Sequence, residues 1–160
     1  MLKKVENVRV SDARGARFAI VASKYNARYV DGMLGPAKDT LEQAGAEQVE
    51  VIRVPGAFEI PAVAATLAKR EVKPISAIIC LGVILRGETT HAQNITEAVS
   101  HAFAEIQVRY QVPVIHEVLL LENEAQAEAR CLSPKHNRGV EAALTAIEMA
   151  TTMRELRRQK

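Results

Sequence analysis

Residues 86–91 read Arg-Gly-Glu-Thr-Thr-His, and they stand where an apolar, strand-like run, Ile75–Leu85, gives way to a helix-like one. At such a junction in a parallel sheet, backbone N–H groups converge and can hold an anion. The segment adds a guanidinium, two hydroxyls and an imidazole, while Gly82 and Gly87 let the backbone approach a ligand closely. The chemistry this pattern suits is phosphate binding beside a proton-transfer group, His91. Thr89 and Thr90 serve equally as caps of the following helix. Glu88 repels an anion, so its side chain is expected to turn away and leave only its backbone N–H at the site.

Two other strand-to-helix junctions carry chemistry. Val54-Pro55-Gly56-Ala57-Phe58-Glu59-Ile60-Pro61 is a tight turn with a carboxylate among apolar neighbours. Glu59 can accept hydrogen bonds from a polyol or can simply start a helix, and Phe58 can be plain core. Ser23–Asn26 offers Tyr25, one of few aromatics placed in a loop, as a stacking platform for a planar ligand. A fourth junction, Leu121–Glu122, is not so equipped.

The elements that must position these loops alternate. Phe18–Ala22 and Ile75–Leu85 are apolar runs of buried strands, and Val49–Val54 and Val112–Leu121 complete the set. Between them lie helix-like stretches over about 27–44, 60–70 and 92–110, the last with Ile95, Val99, Ala102, Ile106 and Tyr110 at amphipathic spacing. Glu122–Arg130 reads as a short helix and Arg138–Leu156 as a long one. Gly35-Pro36 is expected to kink or divide the first helix. Residues 2–10 alternate weakly, as a short exposed strand would. The pattern predicts an α/β fold: a three-layer α/β/α sandwich, flavodoxin-like, around a four-stranded parallel sheet, with ligands at the carboxyl ends of the strands.

Composition agrees with one globular domain over residues 1–160: 48% of residues are apolar and the chain has 21 basic against 19 acidic residues. The near balance gives no case for nucleic acid. The basic end, Arg154–Lys160, reads as a solvated helix terminus. Cys80 and Cys131 are too few for a disulfide framework or metal cluster. No apolar run approaches the length of a membrane span, and no leader pattern opens the chain, so a cytoplasmic protein is expected.

Ser-Lys-Tyr-Asn at 23–26, Val-Pro-Gly-Ala-Phe-Glu-Ile-Pro at 54–61, Leu-Gly-Val-Ile-Leu-Arg-Gly-Glu-Thr-Thr-His at 81–91 and Ala-Ile-Glu-Met-Ala at 146–150 resemble the 6,7-dimethyl-8-ribityllumazine synthase family. The resemblance covers about residues 15–155 without gaps, and the second and third motifs are specific to that family. It implies condensation of 5-amino-6-(D-ribitylamino)uracil with 3,4-dihydroxy-2-butanone 4-phosphate, giving 6,7-dimethyl-8-ribityllumazine, phosphate and water. It implies no cofactor and no metal. By position, Tyr25 corresponds to the aromatic that stacks on the pyrimidine; Ala57, Phe58 and Glu59 to the segment holding ribityl chain and ring; Val83, Ile84 and Leu85 to backbone contacts with the uracil. Glu88 and Thr89 correspond to the phosphate-binding pair, His91 to the proton donor, and Arg130 to the arginine that grips the phosphate.

The chain departs from the family's pattern in three places. His116 stands where phenylalanine usually covers the pyrimidine from a neighbouring subunit, and Glu117 replaces a glycine beside it. After Arg130, Cys-Leu-Ser-Pro-Lys-His-Asn-Arg-Gly replaces Gly-Thr-Lys-x-Gly-Asn-Lys-Gly, so Pro134 occupies a lysine position and Arg138 replaces another lysine, with Lys135 or Arg138 to supply the lost charge. The resemblance also implies pentamers with sites at subunit interfaces, and an N-terminal arm, residues 1–12, adding a strand to a neighbour's sheet. Decamers and sixty-subunit shells occur in the family, and riboflavin synthase is its candidate partner. A non-catalytic lumazine- or flavin-binding homologue, or a shell subunit, is the alternative; His91 and Arg130 together favour catalysis.

Overall fold

In the computed structural model, which describes residues 12–159, the elements run β1 (Arg17–Ser23), α1 (Ala27–Gln43), β2 (Gln48–Val54), a single 3-10 turn (Ala57–Glu59), α2 (Ile60–Ala68), β3 (Ala77–Leu85), α3 (His91–Tyr110), β4 (Val114–Leu121), α4 (Glu124–Cys131) and α5 (Arg138–Arg158). The expected arm, residues 1–12, lies outside the described residues except for Asp12.

The four strands are all parallel, in the order β2-β1-β3-β4. Strand side chains alternate between the faces, and each face buries its own core. Phe18, Ile20 and Leu81 pack with Val30, Met33, Leu41 and Ala146 under α1 and α5; Ala127 and Cys131 bring α4 to the same side. Val21, Ile78 and Cys80 pack with Ile60, Ala64, Val99 and Phe103 under α2 and α3. The three-layer sandwich is as the alternating pattern requires. The chain leaves β1 toward one layer and β3 toward the other, so the crevice between the carboxyl ends of β1 and β3 is the topological switch point.

Of the two expected effects of Pro36, division does not occur: α1 runs unbroken from Ala27 to Gln43. Proline removes the N–H that would bind the carbonyl four residues earlier. Here that carbonyl, on Gly32, accepts instead from Asn137 Nδ2 at 2.8 Å. The broken rung is replaced from the far end of the chain. α4 starts later than expected because Asn123 caps it, Oδ1 accepting from the Gln126 N–H at 2.9 Å.

The sheet's two edges differ. The N–H groups of Ile78 and Arg86 donate to Pro113 and Leu121, so even-numbered β3 residues face β4 and odd-numbered ones face β1. On β4, Val114 and Val118 turn outward, and side chains take their N–H groups: Gln107 Oε1 at 3.0 Å and His116 Nδ1 at 3.2 Å. On β2, Val54 faces β1 through its bond from the Lys24 N–H, so Val49, Val51 and Arg53 turn outward. Among the described residues no side chain caps their N–H groups.

Candidate active site at the switch point

Three loops meet at the carboxyl end of the sheet. The Lys24 N–H donates to the carbonyls of Val54 and Pro55, and the Tyr25 N–H to Pro55 at 3.1 Å, stitching the first loop to the second. Asn26 takes a left-handed conformation (φ 55°), and its Nδ2 donates to the Val83 carbonyl at 2.7 Å, tying the first loop to β3 across the switch point. Asparagine tolerates that conformation better than most residues, a signal in the sequence that was there to be read.

Gly56 lets the aromatic platform form. A Cβ there would stand 2.9 Å from Tyr25 Cδ2 and 3.0 Å from Glu59 Oε2. The Tyr25 ring therefore lies against the Gly56 backbone. Tyr25 is 68% exposed and Phe58, on the stitched neighbouring loop, 62%. Large aromatics left in water on adjoining loops mark a surface made to be covered. Ala57 is buried beneath them. Glu59 Oε2 accepts from the Gly56 N–H at 2.8 Å, and Oε1 has no partner among the described residues. A carboxylate held by one oxygen presents the other to a hydroxyl.

β1 pairs with β3 only as far as Ala22 with Leu81, whereas β3 continues to Leu85 beside β4. Beyond that point the odd-numbered residues Val83 and Leu85 aim backbone donors and acceptors into the crevice. Val83 is buried, Ile84 and Leu85 half-buried. This edge can read the polar rim of a planar heterocycle by backbone alone.

Residues 86–91 are exposed and lead into α3. Arg86 is anchored away from any anion: its N–H binds the Leu121 carbonyl at 2.8 Å and its Nε the Glu122 carboxylate at 2.9 Å. Thr90 stands at the N-cap without a side-chain cap bond, and Thr89 Oγ1 meets the His91 N–H only at 3.4 Å. Capping therefore leaves the first-turn N–H groups of α3 largely open to an anion. His91 opens the helix beside them.

Arg130 lies elsewhere. It is exposed in the last turn of α4, in the helical layer opposite α3, and makes no ion pair among the described residues. Within one protomer the sheet lies between the layers of α4 and α3, and no hydrogen bond or ion pair joins Arg130 to His91 among the described residues. Lys135 is exposed in the loop before α5. Two open clefts are also remote: one of about 270 Å3 and one of about 440 Å3 sit at the amino end of the sheet, and the three loops line neither.

A family model described as 6,7-dimethyl-8-ribityllumazine synthase matches residues 15–154. The chain belongs to this family. Proteins of that name from Stenotrophomonas maltophilia, Pyrococcus furiosus and Clostridium kluyveri are 39%, 40% and 37% identical to it. The alignments cover 88%, 89% and 91% of this chain and 91%, 88% and 94% of those proteins.

As a lumazine synthase family member, the chain's departures acquire physical reasons. His116 and Glu117 point to opposite faces of β4. His116 is exposed on the α3 side, its ring edge-on to Phe103 at 5.0 Å. Glu117 is 6% exposed on the α5 side, and Arg138 binds it with both arms, Nε to Oε2 at 3.0 Å and Nη2 to Oε1 at 2.9 Å. A third bond runs from Arg138 to Glu141. Burial lifts the Glu117 carboxyl above its ordinary range even with this guanidinium upon it. Arg138, in another of the family's usual lysine positions, is thus committed to Glu117, in the usual glycine position. The two departures compensate each other, which leaves Lys135 with the free charge. Burial likewise pushes the neighbouring Cys131 thiol up to about 11.

Proposed function

We propose that this chain condenses 5-amino-6-(D-ribitylamino)uracil with 3,4-dihydroxy-2-butanone 4-phosphate to 6,7-dimethyl-8-ribityllumazine, phosphate and water in the cytoplasm, as the penultimate step of riboflavin biosynthesis. Family membership over most of the chain is the observation that carries this reading. The curated relatives are named as the synthase, which favours the enzyme over a non-catalytic carrier. The geometry fits the two substrates. The pyrimidine lies on the exposed rings of Tyr25 and Phe58, its polar edge on the backbone of Val83–Leu85, with the ribityl hydroxyls on Glu59 and Ala57. The phosphate takes the open N–H groups around Gly87, Glu88 and Thr89; Glu88 contributes its backbone.

The chemistry is two carbonyl condensations and one elimination. The 5-amino group attacks the ketone and water departs as the imine forms. Phosphate is then eliminated with the neighbouring carbon's proton, the enol left behind tautomerises to a second carbonyl, and the ribitylamino nitrogen closes the ring onto it with loss of a second water. Each step moves protons, and His91 at the head of α3 is the group to move them, worth about 10²–10⁴-fold. Holding both reactants at one switch point supplies the remainder.

Arg130 and His116 belong to this reading as residues delivered from an adjoining protomer, since α4 lies in the wrong layer to reach His91 within one copy. Lys135 accompanies Arg130 at the phosphate, while Arg138 holds Glu117. The uncapped β2 edge is the place for a neighbour's N-terminal strand, in assemblies of at least five copies. Riboflavin synthase, which uses the product, is the partner this reading names.

Mixing the protein with both substrates and following lumazine fluorescence tests the proposal. Product should form, slow in His91→Ala and with poor use of the phosphate substrate in Arg130→Ala. Well-folded assemblies that make no lumazine would overturn it.

A further inference from the structure

His116 is held at both nitrogens, and the donors and acceptors leave one arrangement of protons. Ser100 Oγ lies 2.8 Å from the Thr96 carbonyl oxygen and 2.7 Å from His116 Nε2. A carbonyl only accepts, so the Ser100 hydroxyl donates to Thr96 and must accept from His116; Nε2 therefore carries a hydrogen. At the other side of the ring the Val118 N–H donates to Nδ1 at 3.2 Å, so Nδ1 is bare. Both ends specify the neutral Nε2–H tautomer. Phe103 braces the ring edge-on, with an angle of 85° between the planes. A proton added to Nδ1 would point at the Val118 N–H.

The surroundings carry no charge toward the ring. Ser100, Thr96 and Phe103 face it from α3 and Val118 from β4. Cys80, its register partner on β3, has a thiol that burial keeps protonated. Partial burial lowers the His116 pKa, against an opposing hydrogen bond to its own backbone.

We infer that Ser100 is a positioning residue that fixes His116 as a neutral, immobile cover for the uracil ring bound to an adjoining copy. Stacking needs a flat ring in one orientation. Two hydrogen bonds give the imidazole the rigidity that phenylalanine gets from packing. Both ring nitrogens are occupied, so His116 takes no part in proton transfer, and that work stays with His91. The inference rests on the reading above that His116 covers the substrate.

Two measurements on the assembled protein test it. Long-range 15N NMR should show His116 as a single Nε2–H tautomer in the wild type, with a second tautomer or ring exchange in Ser100→Ala. In kinetics, Ser100→Ala should raise KM for the ribitylaminouracil about fivefold, the size of one net hydrogen bond, with KM for the butanone phosphate unmoved. Ser100→Thr, which keeps the hydroxyl, should restore it. In a His116→Phe background the Ser100 substitution should have no effect. An unchanged uracil KM, a mixed tautomer in the wild type, or an undiminished Ser100 effect beside phenylalanine would overturn the inference. Wild-type protein that forms no lumazine would instead overturn the proposed reaction, a result the NMR arm does not share.

Discussion

Asn137 Nδ2 donates at 2.8 Å to the carbonyl of Gly32, 105 residues earlier in the chain, and fills the hydrogen bond that Pro36 leaves open in α1. The same nitrogen reaches the Cys131 carbonyl at 2.8 Å, while Oδ1 accepts from the Gly139 N–H to cap α5. One buried amide therefore joins α1, the end of α4 and the start of α5, the segment that carries Arg130 and Lys135.

Asn137→Ala removes a cap and strands buried carbonyls, so it should cost about 3 kcal/mol. Pro36→Ala restores an N–H opposite Gly32 and should recover about 1 kcal/mol of that loss. In wild type the same change should do little. A urea-denaturation double-mutant cycle at fixed protein concentration measures the coupling, and strict additivity would contradict the assignment.

The Glu117–Arg138 pair has a pH signature. Burial raises the Glu117 carboxyl, and Arg138 pulls it partly back. A carboxyl raised in the folded state holds its proton more tightly there than in the unfolded chain. It therefore subtracts stability as pH climbs from the ordinary value of 4.5 through the raised one. Arg138→Ala strands the buried carboxylate, at a cost of about 2–3 kcal/mol near neutrality, and lifts its pKa further. Denaturation midpoints should show the mutant's deficit shrinking as pH falls from neutrality toward the ordinary value of 4.5. A deficit independent of pH would assign the loss to packing alone.

Two glycines should respond very differently to alanine. At Gly139 an added Cβ would stand 2.0 Å from the Met33 carbonyl oxygen, and backbone cannot yield as a flexible side chain would. Gly139→Ala should break the α1–α5 contact and lower the melting temperature by several degrees or prevent folding. At Gly35, inside α1, nothing but its chain neighbours lies within 4 Å. Gly35→Ala should be nearly neutral, because its gain in helix propensity is offset by the contact of the new Cβ with the Pro36 ring. Thermal melts of both variants decide the matter.

Charge near the phosphate should separate three cations by function. Arg130→Ala should raise KM for the butanone phosphate at least tenfold, because a charge-assisted forked contact is lost. Lys135→Ala should raise it about threefold, as a flexible point charge in a solvated loop would. Arg138→Lys should leave that KM nearly unchanged yet lower stability, since lysine cannot grip both oxygens of Glu117. Steady-state kinetics with each substrate varied in turn provides the check.

Much of this was legible in the residues. Buried parallel strands show as unbroken apolar runs, so Phe18–Ala22 and the strand ending at Leu85 fell within a residue or two of β1 and β3. The loops of the switch point announced themselves through Gly56, the paired threonines and the exposed aromatics. Hidden were the partnerships between distant positions. Glu117 with Arg138, Ser100 with His116 and Asn137 with Gly32 join different elements, and no local periodicity encodes them. That α1 runs undivided through Pro36 was hidden for the same reason, because the bond that replaces the lost one comes from Asn137.

The half-capped flank of β4 and the bare flank of β2 give each protomer a direction. Zipping of like to like along β4 is impeded, because Gln107 and His116 have claimed the outward amides of Val114 and Val118. Copies that join by lending a strand must do so donor to recipient, each giving once and receiving once. A succession of such one-way joins ends by closing into a ring or does not end at all.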